Sequence, residues 1–178
     1  MPHAVFHIIF AMLVAEFIRE YAVKDKKKFP VYYIFIAGIA GILPDLDIVA
    51  YWILYFFGFS LNQVHRTFTH ILFIPLIFLI LAVISWNFKN KELGKHHLKL
   101  HNIFLMIVLG SFVHLFLDAI ISGTISPFYP LSSFSLGLNL INFIPYPLQW
   151  LVDPSLDAGI FILWLFWLEY KHKISNFV

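Results

Sequence analysis

A chain of 178 residues that is 61% hydrophobic and only 12% charged is too apolar for a water-soluble domain, in which about a quarter of residues are charged. A mean hydropathy of +0.84 with 21 Phe, 8 Tyr and 5 Trp fits a lipid-facing surface, and the length allows about five helices at roughly 20 residues per span. The absence of cysteine excludes disulfides and thiolate metal sites, and a net charge of +2 gives no reason for a nucleic-acid partner.

The first apolar run, Met1 to about Tyr21, contains His3, His7 and Glu16 and ends in Arg19, Lys24, Lys26, Lys27 and Lys28. Basic residues follow this run instead of preceding it, so it reads as a retained span and not as a secretory signal. The second run, Val31 to about Phe57, is broken by Leu43-Pro44-Asp45-Leu46-Asp47. Proline removes a backbone donor and disfavours helix in the residue before it, which predicts a helix over about 31–43, a turn carrying both aspartates and a helical piece near the interface. A third span is predicted from Thr67 to about Phe88, followed by Lys89, Lys91, Lys95 and Lys99 with His96, His97 and His101 among them. The fourth, Leu100 to about Ile121, carries His114 and Asp118. Residues 122–150 are rich in Pro, Gly, Ser and Asn yet apolar, as a re-entrant or interfacial segment would be, because irregular backbone cannot face lipid. The fifth span, Leu151 to Tyr170, has Asp153 and Asp157 at its start and Lys171 and Lys173 after it. The fold class expected is therefore all-α: one membrane-embedded helix bundle over residues 1–178.

Eleven of the twelve Lys and Arg residues fall in three clusters that five spans would place on one side of the membrane. The positive-inside rule then puts the N-terminus outside and the C-terminus inside a cell membrane. Arg66 is the twelfth, in the run His65-Arg66-Thr67-Phe68-Thr69-His70, where hydrocarbon should begin. At 1.5 Å rise per residue, His7, Asp45, His70, His114, Asp153 and Asp157 all lie roughly 18–27 Å from the cytoplasmic ends of their spans. Polar residues from five segments share one layer, which predicts a pocket opening outward.

His114 and Asp118, four apart, point to one helix face and can offer a nitrogen and an oxygen to one ion; the plainer alternative is a hydrogen-bonded pair. Asp45 and Asp47 can ligate metal, with Asp47 as a candidate general base; a helix cap is the alternative for one of them. His65 and His70 reach a common site only if the helix starts between them, and Thr67 or Thr69 can orient an imidazole. His7 joins the layer, although a lone histidine there is more often a satisfied interior residue, and His3 lies nearer the surface. Arg66 suits phosphate or carboxylate binding by its planar fork, the alternative being a snorkelling anchor. Asp153 and Asp157 can add a ligand, pair with Arg66 or favour a helix start. The remaining histidines, His96, His97, His101 and His172, read as solvated.

Divalent ions held by imidazole and carboxylate, with an arginine beside them, are suited to phosphoester hydrolysis. A site within the outer leaflet implies a lipid-like or phosphorylated amphiphile arriving sideways. The rival function is a transporter or ion-binding membrane protein using the same residues, and a third reading is a purely structural polar layer. The apolar cytoplasmic half of most spans favours the enzyme over the transporter.

His7, Pro44-Asp45-Leu46-Asp47, His65-Arg66-Thr67-Phe68-Thr69-His70, His114-Leu115-Phe116-Leu117-Asp118 and Pro127-Phe128 resemble, in order and spacing over about residues 1 to 130, the YdjM/YbcI-like family of membrane-bound metal-dependent hydrolases. The resemblance implies a multi-pass protein with one to three divalent ions, Zn with Mn or Fe as alternatives, distantly similar to zinc-dependent phospholipase C. It carries over His7, Asp45, Asp47, His65, His70, His114 and Asp118 as metal residues. Arg66 follows as a catalytic and substrate-binding residue, joined by Thr69 as a substrate contact. Thr67 stands where the family often has glycine, and the second His-x-x-x-acid helix of the phospholipases is missing.

Overall fold

The computed structural model describes residues 4–65, 69–87, 92–121 and 123–177; the expectations placed on His3, Arg66 and Thr67 lie outside the described residues. Helix α1 spans Ala4–Phe17 and widens into a π turn over Ile18–Ala22. A short 3-10 turn at Lys26–Lys28 leads to α2, Tyr32–Ala40. Pro44 opens the 3-10 turn Pro44–Leu46, and α3, Asp47–Leu54, continues into a last turn at Tyr55–Phe57. The break expected at Pro44 is present, with the helices on either side bent by 50°. Helix α4, Leu61–Val64, is a single turn that delivers His65.

The third apolar run departs from expectation. Helix α5 covers only Phe73–Trp86, so His70 precedes the helix instead of riding on it. Pro75, in the first turn, sits where a missing N–H costs nothing, which sets the start late. The basic stretch after α5 also departs from an all-α reading, because Glu92–Leu93 (β1) and Leu98–Lys99 (β2) pair as a two-residue antiparallel ribbon. Helix α6, Leu100–Ile121, has the expected bounds. Residues 123–139 are irregular, closed by an Ile125–Leu136 bridge and by the Leu138 N–H bonding to the Ala119 carbonyl. After a 3-10 turn at Leu140–Phe143, α7 runs from Tyr146 to His172, starting five residues earlier than expected and containing Pro154. Asp153 and Asp157 are therefore interior to α7 and not in its first turn.

The protein is mostly helical. Helices α6 and α7 are long and apolar enough to cross a membrane, and the bent pair of α2 with residues 44–57 counts as a third such segment. Helix α5, at 14 residues, is shorter.

The centre is a tight seam of α1, α2 and α6 built from small side chains. Ala11, Ala15 and Ala37 are fully buried, and Ala40 nearly so. At Gly110 of α6 a Cβ would stand 2.3 Å from the Ala37 carbonyl and 2.8 Å from the Gly41 nitrogen, so only glycine lets these backbones approach. Small residues at contacts are how helices pack where no hydrophobic effect drives them together. Helix α5 lies against α6, and α7 against α1. The outer face of α7 leaves Leu163 and Phe166 exposed, as suits hydrocarbon surroundings and not water.

Candidate metal centre

The seam ends at the level of Gly41, and the polar layer begins there. Gly41 closes α2, so its carbonyl has no partner within the helix. His114 Nδ1 fills the need at 2.7 Å. A carbonyl only accepts, so the His114 proton is on Nδ1 and the lone pair is on Nε2. His70 is arranged alike. Its Nδ1 lies 3.2 Å from Thr69 Oγ1 and 3.4 Å from Asp47 Oδ2, both able to accept, while the Thr69 hydroxyl donates to Asp47 Oδ2 at 2.8 Å. The two Nε2 atoms then face each other at 3.2 Å.

Two carboxylates complete the group. Asp45 Oδ1 is 3.4 Å from His70 Nε2 and 3.6 Å from His114 Nε2; Asp118 Oδ2 is 3.4 Å and 3.7 Å from the same atoms. Converging lone pairs repel unless a cation, a proton or a metal ion, stands among them. Ligand atoms held about 2.0–2.2 Å from a tetrahedral ion are separated by roughly 3.3–3.6 Å, close to the 3.2–3.7 Å of these five contacts. The donor set of two imidazoles and two carboxylates fits a zinc-like ion, and the contacts at each Nδ1 are the outer partners that metal-bound histidines use. These residues fit a divalent ion.

Burial sharpens the site. His70 and His114 are fully buried and Asp118 nearly so, whereas the Asp45 side chain is 22% exposed and marks the open side. His7 stacks on His114 with ring centres 4.0 Å apart and puts Nε2 3.4 Å from Asp118 Oδ1. Its Nδ1 is buried with no hydrogen-bond partner among the described residues. His65 Nδ1 is 2.8 Å from Asp47 Oδ1. Three overlapping trios have donor atoms within 4.8 Å of one another: His7, Asp45 and His114; Asp45, His65 and His70; and His70, His114 and Asp118.

The structure thus brings together His7, Asp45, Asp47, His65, Thr69, His70, His114 and Asp118, all singled out from the sequence. Both oxygens of Asp47 are engaged by His65, Thr69 and His70, so it holds imidazoles in place behind the donor group. His65 and His70 share the site because neither is on a helix. Asp157 does not join: its Oδ1 accepts the Phe6 N–H at 2.9 Å and caps the start of α1, one residue from His7. Two features had no signal in the sequence reading. One is the Gly41 carbonyl, a backbone acceptor that residue type does not mark. The other lies at the far end of α1, where Glu16 is buried and pairs with His172 at 2.8 Å, so His172 is not simply solvated.

No curated protein and no solved structure matches the chain. A family model described as YdjM inner membrane protein matches residues 1–174, nearly the whole sequence. The apolar helices and the His/Asp layer are thus those of a member: the chain belongs to the YdjM inner membrane protein family.

Proposed function

We propose that this protein is a metal-dependent hydrolase that cleaves a phosphoester in a lipid-like substrate, from a centre in the outer half of the bilayer. The observation that carries this reading is the convergence of His70, His114, Asp45 and Asp118 at 3.2–3.7 Å with both imidazole protons turned outward. A divalent ion held by His70, His114 and Asp118, zinc being the best match, would keep a position on the Asp45 side for a water of lowered pKa and would neutralise charge gathering on a phosphoryl group. His114 is fixed by the Gly41 carbonyl, and His70 by Thr69 and Asp47. Asp47 also holds His65 by Nδ1. His7 stands ready for a further ion on the opposite side. Asp45 marks the open side from which the head group arrives, and Arg66 remains the proposed phosphate contact, whereas the Thr69 hydroxyl, expected to touch substrate, is given to Asp47.

The five-pass arrangement, N-terminus outside and basic clusters inside, belongs to the same proposal. It is supported by the placement of the lysines and by the exposed apolar faces of α2, α5 and α7.

The test is elemental analysis of full-length protein purified without chelator, together with phosphate or phospho-head-group release from phospholipids. At least one divalent ion per chain and measurable release are expected, with both lost in His114→Ala and Asp118→Ala. Metal-free wild-type protein would overturn the reading. Metal bound without release from any phospholipid would favour an ion-binding or transport role instead.

A further inference from the structure

Beside the centre runs a groove whose lining, among the described residues, is apolar throughout. One lobe, about 310 Å³, lies between α5 and α6 along Leu76, Leu79 and Val108. A second, about 270 Å³, continues between α6 and the 123–139 segment at Leu115, Ala119 and Ile125. Leu72, Phe112 and Phe128 line both lobes, so the two meet. The inner wall belongs to the centre's own chain segments: Leu72 is two residues past His70, Leu115 follows His114, and Ala119 follows Asp118. The Leu72 N–H bonds to the Pro127 carbonyl at 3.0 Å, which ties the His70 segment to the groove's far wall. Outward, the groove runs into the lipid-facing flank, where Leu76 and Phe112 are exposed.

Its size selects the occupant. One turn of helix, about 10 Å across and 5.4 Å high, needs roughly 400 Å³ in one piece, whereas the space here is divided between two lobes joined at Leu72, Phe112 and Phe128. An unbranched hydrocarbon chain needs no such width, and from Leu72 to Leu79 α5 alone gives it about 10 Å of length. We infer that this groove holds an acyl chain of the lipid whose head group meets the metal centre, so that substrate is drawn sideways from the bilayer. The inference rests on the hydrolase reading above and adds what that reading lacks, a subsite for the hydrocarbon part.

The experiment uses full-length protein in phosphatidylcholine nanodiscs doped with phosphatidylglycerol bearing a diazirine on its acyl chain, with cross-linked residues mapped by mass spectrometry. Label is expected to concentrate on the groove, to saturate with dose and to be displaced by unlabelled phosphatidylglycerol but not by palmitic acid. Leu76→Trp and Leu79→Trp, which fill the groove from its exposed side, should remove that label while leaving metal content unchanged. Label spread without saturation over α5 and α7, equal displacement by palmitic acid, or label unmoved by both variants would overturn the inference. Metal content and head-group release in the same preparations separate the two readings. Active, metal-loaded protein with an unlabelled groove sinks only the subsite, and a saturable groove in metal-free protein sinks the hydrolase.

Discussion

The two ends of α1 treat buried acid in opposite ways. At the basic end, Glu20 is bracketed by Lys171 and by Lys26 at 2.6 Å, and Glu16 pairs with His172. Glu20 there faces two long, adjustable side chains that bring their own protons. At the other end, the described contacts of Asp45 and Asp118 are imidazole nitrogens at 3.4–3.7 Å, from rings whose protons are turned to a carbonyl, a hydroxyl and another carboxylate. Lysine pairs are self-sufficient and tolerate change, because exposed ion pairs contribute little and are screened by salt. The imidazole layer is organised around a position that could hold a metal ion. A carboxylate thus serves as a fastener near one end of α1 and as a candidate ligand near the other.

The largest expected effect tests the seam that holds the imidazole layer. Gly110→Ala puts a methyl group into the Ala37 carbonyl and the Gly41 nitrogen, so α2 and α6 must part. Overpacking of this kind costs about 1–3 kcal/mol, which outweighs the gain in helix propensity. Because Gly41 also supplies the carbonyl that orients His114, metal content should fall together with the unfolding temperature, both read on the purified protein. A destabilised variant with full metal content would uncouple the seam from the layer.

A smaller effect is expected from Asp47→Asn. If Asp47 acts by holding His65 and His70, the amide should weaken metal affinity about 10–100-fold, measured by chelator competition, without emptying the site at saturating metal. Unchanged affinity would place Asp47 outside the support of the ligands. The smallest effect belongs to the matching change at the basic end. Lys171 and Lys26 hold the Glu20 carboxyl down to about 2, below its ordinary 4.5. A depressed folded-state pKa stabilises above the unfolded value and is lost as pH falls towards the folded one. Glu20→Gln should therefore lower the unfolding temperature slightly at pH 7, with the difference shrinking below pH 4.5 and closing near pH 2. A gap independent of pH would mean that Glu20 acts through packing and not charge.

What the chain alone reveals about this layer depends on how each residue is carried. His114 and Asp118 were legible as a pair because both ride one uninterrupted apolar helix, where a spacing of four fixes the face. Helix α6 has the bounds expected of it, starting just after Lys99 and ending before Gly123. Asp45 and Asp47 were legible as a turn because Pro44 dictates one. His70 was legible as a site residue but not as a loop residue, since nothing in residue type between His70 and Phe73 marks a helix start, whereas the Leu72 N–H bonds to the Pro127 carbonyl instead of within the helix. The Gly41 carbonyl could not be read at all, because a backbone acceptor leaves no mark in residue type. Nor could Asp157: its partner is a backbone amide 151 residues away, and a contact at that range is fixed only by how helices pack.

That contact ties the first helix to the seventh. The amide of Phe6, in the first turn of α1, finds its acceptor on α7, 151 residues further along the chain. Without α7 in place, this end of α1 carries an unsatisfied donor beside His7, and a buried amide without a partner is costly. A carboxylate outside the convergent donor group thus anchors the element that carries His7, so α7 supports the polar layer through backbone and not through a donor atom.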